Sequence, residues 1–345
     1  MGYFRDTIET MAGYTPGFQP ADADAVKLNT NENPWPPSPK VIEAIRAVRD
    51  FQIRRYPDPM GGVFRQAAAE IANVPAEWII CVNGGDELLN LAFRACCDEN
   101  RPAAWAEPTY SLYPVLAHIQ GCKAITVGRD GDWVEELAKI NAALTIVCNP
   151  NAPTGESAPA EIVASLAGRL SGILLIDEAY VDFADGDCLS LVSEYPNVIV
   201  LRSMSKGYSL AGLRAGFGIA RPEIIEGLVK VKDSYNVDAV AIEAAAAALR
   251  DRNYHKQCIE KIKTERARLR SQLCRMGFDV PESWTNFLLA RSIGKEAKQV
   301  YKALLQRNIF VRYFALPGLE DKLRITIGTP EQNNQLLDAL KEIIV

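Results

Sequence analysis

Histidine is almost missing from this chain. Its 345 residues include two, His118 and His255. A histidine-rich metal centre or a serine–histidine relay has too little material here. Paired cysteine motifs are missing as well. The eight cysteines (Cys81, Cys96, Cys97, Cys122, Cys148, Cys188, Cys258 and Cys274) include no C-x-x-C. Most stand in apolar context, as small buried hydrophobes of a reducing compartment do. No excess of basic charge exists: 38 Lys and Arg meet 43 Asp and Glu, a net charge of -5. That argues against a nucleic-acid partner. No apolar run reaches bilayer length, and "GILLI" before Asp177 is the size of a strand. "MGYFRDTIETM" carries charges and no apolar signal core, and Asp6 stands where a myristoylation signal has a hydroxyl. We therefore expect a cytoplasmic protein with no membrane partner.

What is present is an ordinary globular mix, 48% hydrophobic and 23% charged. The length suits one large or two modest domains. Ser38 and Pro39 suit the N-cap and first position of a helix. After a turn-rich "RYPDPMGG", short apolar strands alternate with amphipathic helices. The strands are "WIICV", "PAAWA", "KAITV", "LTIVC", "GILLID", "NVIVLRS" and "AGFGIA". This alternation predicts an α/β fold, a mostly parallel sheet flanked by helices. From about Asp238 the pattern changes to two helices, the second ending at Gly277. Three strands follow, "NFLLAR", "IFVRYF" and "KLRITIG", and then a final helix. We expect a large α/β domain over 40–255 and a smaller α+β domain made of 1–39 and 256–345.

Open parallel sheets bind ligands at the carboxyl ends of their strands. Four such ends carry polar clusters. Asn83-Gly84-Gly85-Asp86 opens a helix, so it is either a phosphate nest or a tight turn with Asp86 as N-cap. "NPNAPTG" is a rigid turn. Asp177 ends a strongly apolar strand, where a carboxylate is costly to bury without a cation. "SMSKGYSLAGLRAGFG" brings Lys206 between Ser203, Ser205 and Arg214. One ligand would use all four: an aromatic aldehyde with a ring nitrogen, a phenolic oxygen and a phosphate, which is pyridoxal phosphate.

The order and spacing of "LNTNENP", "RYPDP", "NGGDELL", "EPTYSLY", "NPNAPTG", "DEAYVDF", "SMSKGYSLAGLRAGFG", "YNV" and "LRITIGT" resemble the fold type I pyridoxal-phosphate aminotransferases, most closely the histidinol-phosphate aminotransferases. The resemblance spans nearly the whole chain. It implies that Lys206 holds the cofactor covalently and shuttles the proton, and that Asp177 pairs with the ring nitrogen. Tyr180 would donate to the phenolic oxygen and Tyr110 would stack on the ring. Ser203, Ser205, Arg214 and the amides of Gly85 and Asp86 would bind the phosphate. Tyr56 would reach that phosphate from the other subunit of an obligatory homodimer. One departure stands out: the residue before "PTG" is usually Asn in the family and is Ala152 here, so Asn151 is the candidate in its place. Asn83 also stands where some members carry a basic residue.

For the substrate, the resemblance places Arg324 on a carboxylate or phosphate, with Arg312 and Tyr14 as further phosphate ligands. Asn29, Glu32 and Tyr235 are candidates for the imidazole end. The implied substrates are histidinol phosphate and 2-oxoglutarate, with imidazole-acetol phosphate and glutamate as products. An aromatic-amino-acid aminotransferase and a threonine-phosphate decarboxylase are the alternatives within the family. A non-catalytic regulator on the same fold is a further one. A nicotinamide enzyme fits less well, since the glycine spacing is not G-x-G-x-x-G.

Overall fold

The computed structural model describes residues 2–22 and 24–344. The described residues contain twelve strands: β1 (Val26–Lys27), β2 (Ile79–Val82), β3 (Ala103–Glu107), β4 (Ala124–Gly128), β5 (Leu144–Cys148), β6 (Ile173–Asp177), β7 (Val198–Ser203), β8 (Gly216–Ala220), β9 (Phe287–Arg291), β10 (Ile309–Phe310), β11 (Arg312–Tyr313) and β12 (Lys322–Thr326). Seven form one sheet in the order β2-β8-β7-β6-β5-β3-β4. Every pairing is parallel except those of β8, which runs against both β2 and β7. The inner strands β5 and β8 are buried at every position, as continuous apolar runs covered on both faces should be. β4 lies at the edge and alternates between exposed and half-buried. Separate apolar clusters fill the two sides of this sheet.

Local chemistry sets the helix ends. Ser38 caps the helix Pro39–Ala47, its Oγ accepting the Lys40 N–H at 3.1 Å while donating to Asp251 at 2.5 Å. Asp238 caps Ala239–Arg250 by accepting the N–H groups of Val240 and Ala241. The long helix Arg252–Arg275 stops before Gly277, whose φ of +90° suits glycine. The alternative of Asp86 as N-cap is corrected. Gly84 holds that position at φ +79°, a conformation its missing Cβ permits, and Asp86 lies inside the helix Gly85–Cys96.

A second core joins the two ends of the chain. Val26 and Leu28 pack with residues from Ile259 to Ile343. β1 pairs in parallel with β10, and β9, β12 and β11 make an antiparallel sheet. "IFVRYF" is thus not one strand. It changes partner at Val311, so β10 binds the N-terminal arm and β11 binds β12. All eight cysteines are free, and six of them are buried. Among the described residues, no helix is long and apolar enough to cross a membrane.

Candidate active site

β8 runs backwards, so the chain leaves the sheet after β7 and re-enters at the same end of the strands, with Ser203 opposite Gly216. The segment between them, carrying Lys206 and Arg214, therefore stays at the carboxyl ends of the parallel strands. A cavity opens there, lined by Gly85, Asp86, Tyr110, Ala152, Asp177, Tyr180, Ser203, Ser205, Lys206 and Arg214 from the large sheet. Tyr14, Asn29, Thr30 and Asn31 line it from the N-terminal arm, and Arg312, Phe314 and Arg324 from the smaller body.

Lys206 reaches this cavity half-buried, and its Nζ donates to the Thr30 carbonyl at 3.3 Å. Burial, and then the positive charge of Arg324, lower its pKa to about 8. An amine so placed is free to lose its proton near neutrality and act as nucleophile or base. Asp177 is 3% exposed at the end of β6. Burial raises its pKa to about 6, against hydrogen bonds from the Tyr113 hydroxyl at 2.7 Å and the Ala179 N–H at 3.1 Å. No ion pair of the described residues includes it, so a cation arriving in the cavity would meet an unneutralised carboxylate.

Tyr180 is buried, and burial pushes its hydroxyl up to about 12. Its Oη accepts from Asn31 Nδ2 at 2.8 Å. Tyr110 packs edge-on between Tyr14, with ring centres 6.1 Å apart, and Tyr113, at 5.7 Å. Its hydroxyl donates to Asp86 at 3.2 Å. Arg214 donates to Ser205 Oγ at 3.3 Å and to Asp86 at 3.2 Å. It lies against Gly84, where a Cβ would come within 2.6 Å of the guanidinium. Glycine, two hydroxyls, a guanidinium and the start of a twelve-residue helix thus converge on one anion-sized corner.

On the opposite wall, Arg312 and Arg324 stand directly across β11 and β12 from each other. Arg324 donates to the Asn29 carbonyl at 3.1 Å, and its buried Nε has no partner. Burial lowers its pKa, and Arg312 lowers it further. Arg312 donates to the carbonyls of Thr15 and Pro16 at 3.2 and 3.4 Å. No ion pair of the described residues includes either guanidinium. Two neighbouring cations without a counter-charge, facing a cavity, are a site for an anion.

Several candidates from the sequence lie elsewhere. Asn151 is fully buried but turned away from the cavity. Its amide accepts from Thr109 at 2.9 Å and donates to the Pro108 carbonyl and Thr154 at 3.0 and 2.9 Å. The turn instead presents Ala152 to the cavity, so the substitution of Asn151 for the missing family asparagine is corrected. Glu32 pairs with Lys27 outside the cavity. Tyr235 stacks on Tyr56 at 4.3 Å on the surface, and Tyr56 is 80% exposed and lines no part of this chain's cavity. The sequence reading missed Tyr113 and Asn31. Tyr113 was findable, standing one helical turn after Tyr110. Asn31 offered no local signal.

The sequence pattern of aminotransferase class I and II matches residues 23–340. The chain belongs to this aminotransferase family. Histidinol-phosphate aminotransferase 1 of Trichormus variabilis is 46% identical over 99% of both chains. A histidinol-phosphate aminotransferase of Citrifermentans bemidjiense is also 46% identical, over 98% of both. The crystal structure of histidinol-phosphate aminotransferase from Sinorhizobium meliloti in complex with pyridoxal-5'-phosphate superposes with a TM-score of 0.90. It is 26% identical, covering 100% of this aminotransferase and 98% of that chain. The fold type I architecture implied by the sequence is therefore the one this aminotransferase has.

Proposed function

We propose that the chain transfers the amino group of L-histidinol phosphate to 2-oxoglutarate, giving imidazole-acetol phosphate and L-glutamate, a step of histidine biosynthesis, with pyridoxal 5'-phosphate as cofactor. The observation that carries the reading is the unneutralised pair Arg312 and Arg324 facing Lys206 across one cavity. The names of the 46% identical relatives point the same way.

The residues present fit the cofactor. A buried, unpaired Asp177 suits a protonated ring nitrogen, and Tyr180 suits a ring oxygen. The corner of Gly85, Ser203, Ser205 and Arg214 suits a phosphate. Bound there, pyridoxal phosphate supplies an aldehyde that takes the amine and a ring that accepts the electrons released at the substrate carbon. Lys206, with its amine proton held loosely, removes the proton from the substrate carbon and returns one as general base and then acid. Asp177 keeps its negative charge against the ring nitrogen, held by Tyr113 and the Ala179 amide. Tyr110, lining the same cavity, would pack against the ring. Arg324 and Arg312 hold the substrate phosphate, with Tyr14 beside them, and the same guanidinium forks accept the carboxylate of 2-oxoglutarate. Asn29 lies under Arg324 and lines the substrate side.

The enzyme works as a homodimer, each Tyr56 reaching the cofactor phosphate in the other protomer. Its exposure beside the exposed apolar Phe51 and Ile53 supports this. Residues 40–255 form the cofactor-bearing domain, and 1–39 with 256–345 form the domain that brings the arginines.

A single-turnover titration of the cofactor-loaded protein tests the reading. Histidinol phosphate is expected to change the cofactor absorbance at concentrations where L-phenylalanine reacts only slowly. Equal or faster reaction with phenylalanine would make the chain a general aromatic aminotransferase.

A further inference from the structure

Asn31 is 1% exposed and holds a left-handed backbone, φ +55°. Every polar group it has is engaged. Its N–H donates to Thr326 Oγ1 at 3.0 Å, and its carbonyl accepts from Asn286 Nδ2 at 2.9 Å. Its side-chain Oδ1 accepts from the Thr326 hydroxyl at 3.1 Å. These bonds settle the amide's orientation. Reversing it would strip the Thr326 hydroxyl of its acceptor and aim further donors at an oxygen that already accepts the Asn31 N–H. The Nδ2 group therefore faces Tyr180 and donates to its Oη at 2.8 Å.

A phenol has one proton and accepts on the rest of its oxygen. With one acceptor direction filled by Asn31, the Tyr180 proton turns elsewhere. Tyr180 Oη makes no other hydrogen bond among the described residues, and both residues line the cavity. The neighbouring Ala152 contributes only a methyl, and the Asn151 amide is spent on Thr109, Pro108 and Thr154.

We propose that Asn31 is a positioning residue for the amino transfer: by donating to Tyr180 it turns the phenol proton into the cavity, toward the ring oxygen of the cofactor. The role rests on the cofactor reading given above. Asn31 is itself held by Thr326 on β12 and by Asn286, so the smaller body sets the direction of a donor on the larger one. A donor aimed at the ring oxygen favours its anionic form. Losing that donor raises the pH at which the lysine-bound cofactor releases its proton, a change visible in its absorbance.

The test is a pH titration of that absorbance in cofactor-loaded wild type, Asn31→Gly, Tyr180→Phe and the double variant. Glycine accepts the left-handed backbone without strain and removes the amide without adding charge. The midpoint is expected to rise by about 0.5–1 pH unit in Asn31→Gly, the size of one net hydrogen bond. The rise should be absent when the same change is made in Tyr180→Phe. The kcat should fall about tenfold with KM nearly unchanged. The isosteric Asn31→Asp keeps the shape and the backbone preference but offers an acceptor, so it should raise the midpoint further. An unmoved midpoint in a cofactor-loaded Asn31→Gly or Asn31→Asp protein overturns the proposal. So does an equal rise with and without the Tyr180 hydroxyl. If wild type itself binds no cofactor, the functional reading fails first, which is a separate result.

Discussion

Asp177 shows at the level of one side chain how this site sets function against stability. Its folded pKa, about 6, lies above the ordinary aspartate value of 3.8. Well below pH 4 it is protonated in both folded and unfolded chains and costs nothing. As pH rises from about 4 to about 6 the unfolded chain ionises first, so folding stability falls, and the full loss persists above that window. Asp177→Asn should therefore raise the stability of the cofactor-free protein by about 2–3 kcal/mol at pH 8 and by little at pH 4. The same change should lower transamination by about three orders of magnitude. Urea melts at the two pH values check the first part; a destabilised variant at pH 8 would contradict it. Lys206 works with opposite sign. Its depressed pKa costs stability below about pH 8, and that loss fades as pH rises toward the ordinary lysine value of 10.5. Tyr113→Phe removes a donor to Asp177 and should weaken cofactor affinity about tenfold while leaving the fold intact, measured by fluorescence titration. Asp177 and Lys206 were legible in the sequence because one ends an apolar strand and the other follows one closely, and Arg214 because it shares the segment with Lys206; strand ends declare where ligands sit. Asn31 was not, since its role exists only when residues 295 positions apart meet at Thr326.

Among the elements, the strand pair β11 and β12 carries the proposed specificity. Truncating Arg312 should leave the fold of the pair intact and remove one fork of the proposed anion site. Arg312→Ala should cut kcat/KM for histidinol phosphate by about 10²–10³ and for phenylalanine by less than about tenfold, the difference charged hydrogen bonds make. Equal losses would remove Arg312 from the phosphate site. At the other corner, Gly84→Ala should displace the Arg214 guanidinium, because a Cβ there falls 2.6 Å from it. It would also strain a backbone at φ +79°. Weaker cofactor binding with near-normal secondary structure is the expected outcome, read by dialysis and circular dichroism. The alternation of strands and helices made the large sheet readable. The split of "IFVRYF" was not, because each half carries an aromatic residue suited to a strand and the break shows only in their partners. The "NPNAPTG" turn was readable as a turn, but which of its side chains faces the cavity depends on Thr109 and Pro108, 42 and 43 residues away.

For the whole molecule, the proposed sharing of sites between two protomers makes a distinctive prediction. Lys206→Ala and Tyr56→Ala protomers, each nearly inactive alone, should regain activity when refolded or co-expressed together. A mixed dimer holds one site with both residues intact, so roughly a quarter of wild-type activity is expected from an equal mixture. Activity no higher than that of the separate variants would place Tyr56 outside the site. The change from alternating strands and helices to two successive helices after about Asp238 was legible. That the first residues belong with the last was carried mainly by the resemblance. In the fold it is a matter of packing, with Val26 and Leu28 buried against β10 and β12 neighbours far along the chain.

Arg312 and Arg324, set face to face on adjacent strands, should also give the protein a thermal dependence on its buffer. Like charges directly opposite in a sheet work against folding, and an ion that neutralises them is a ligand of the native state alone. Mass action then raises the melting temperature with the logarithm of its concentration. Inorganic phosphate or sulfate should lift the melting point of the cofactor-loaded enzyme by a few degrees, whereas sodium chloride of equal ionic strength should not. Arg312→Gln should flatten that response, and heat tolerance becomes a direct gauge of how well the strand pair holds a dianion.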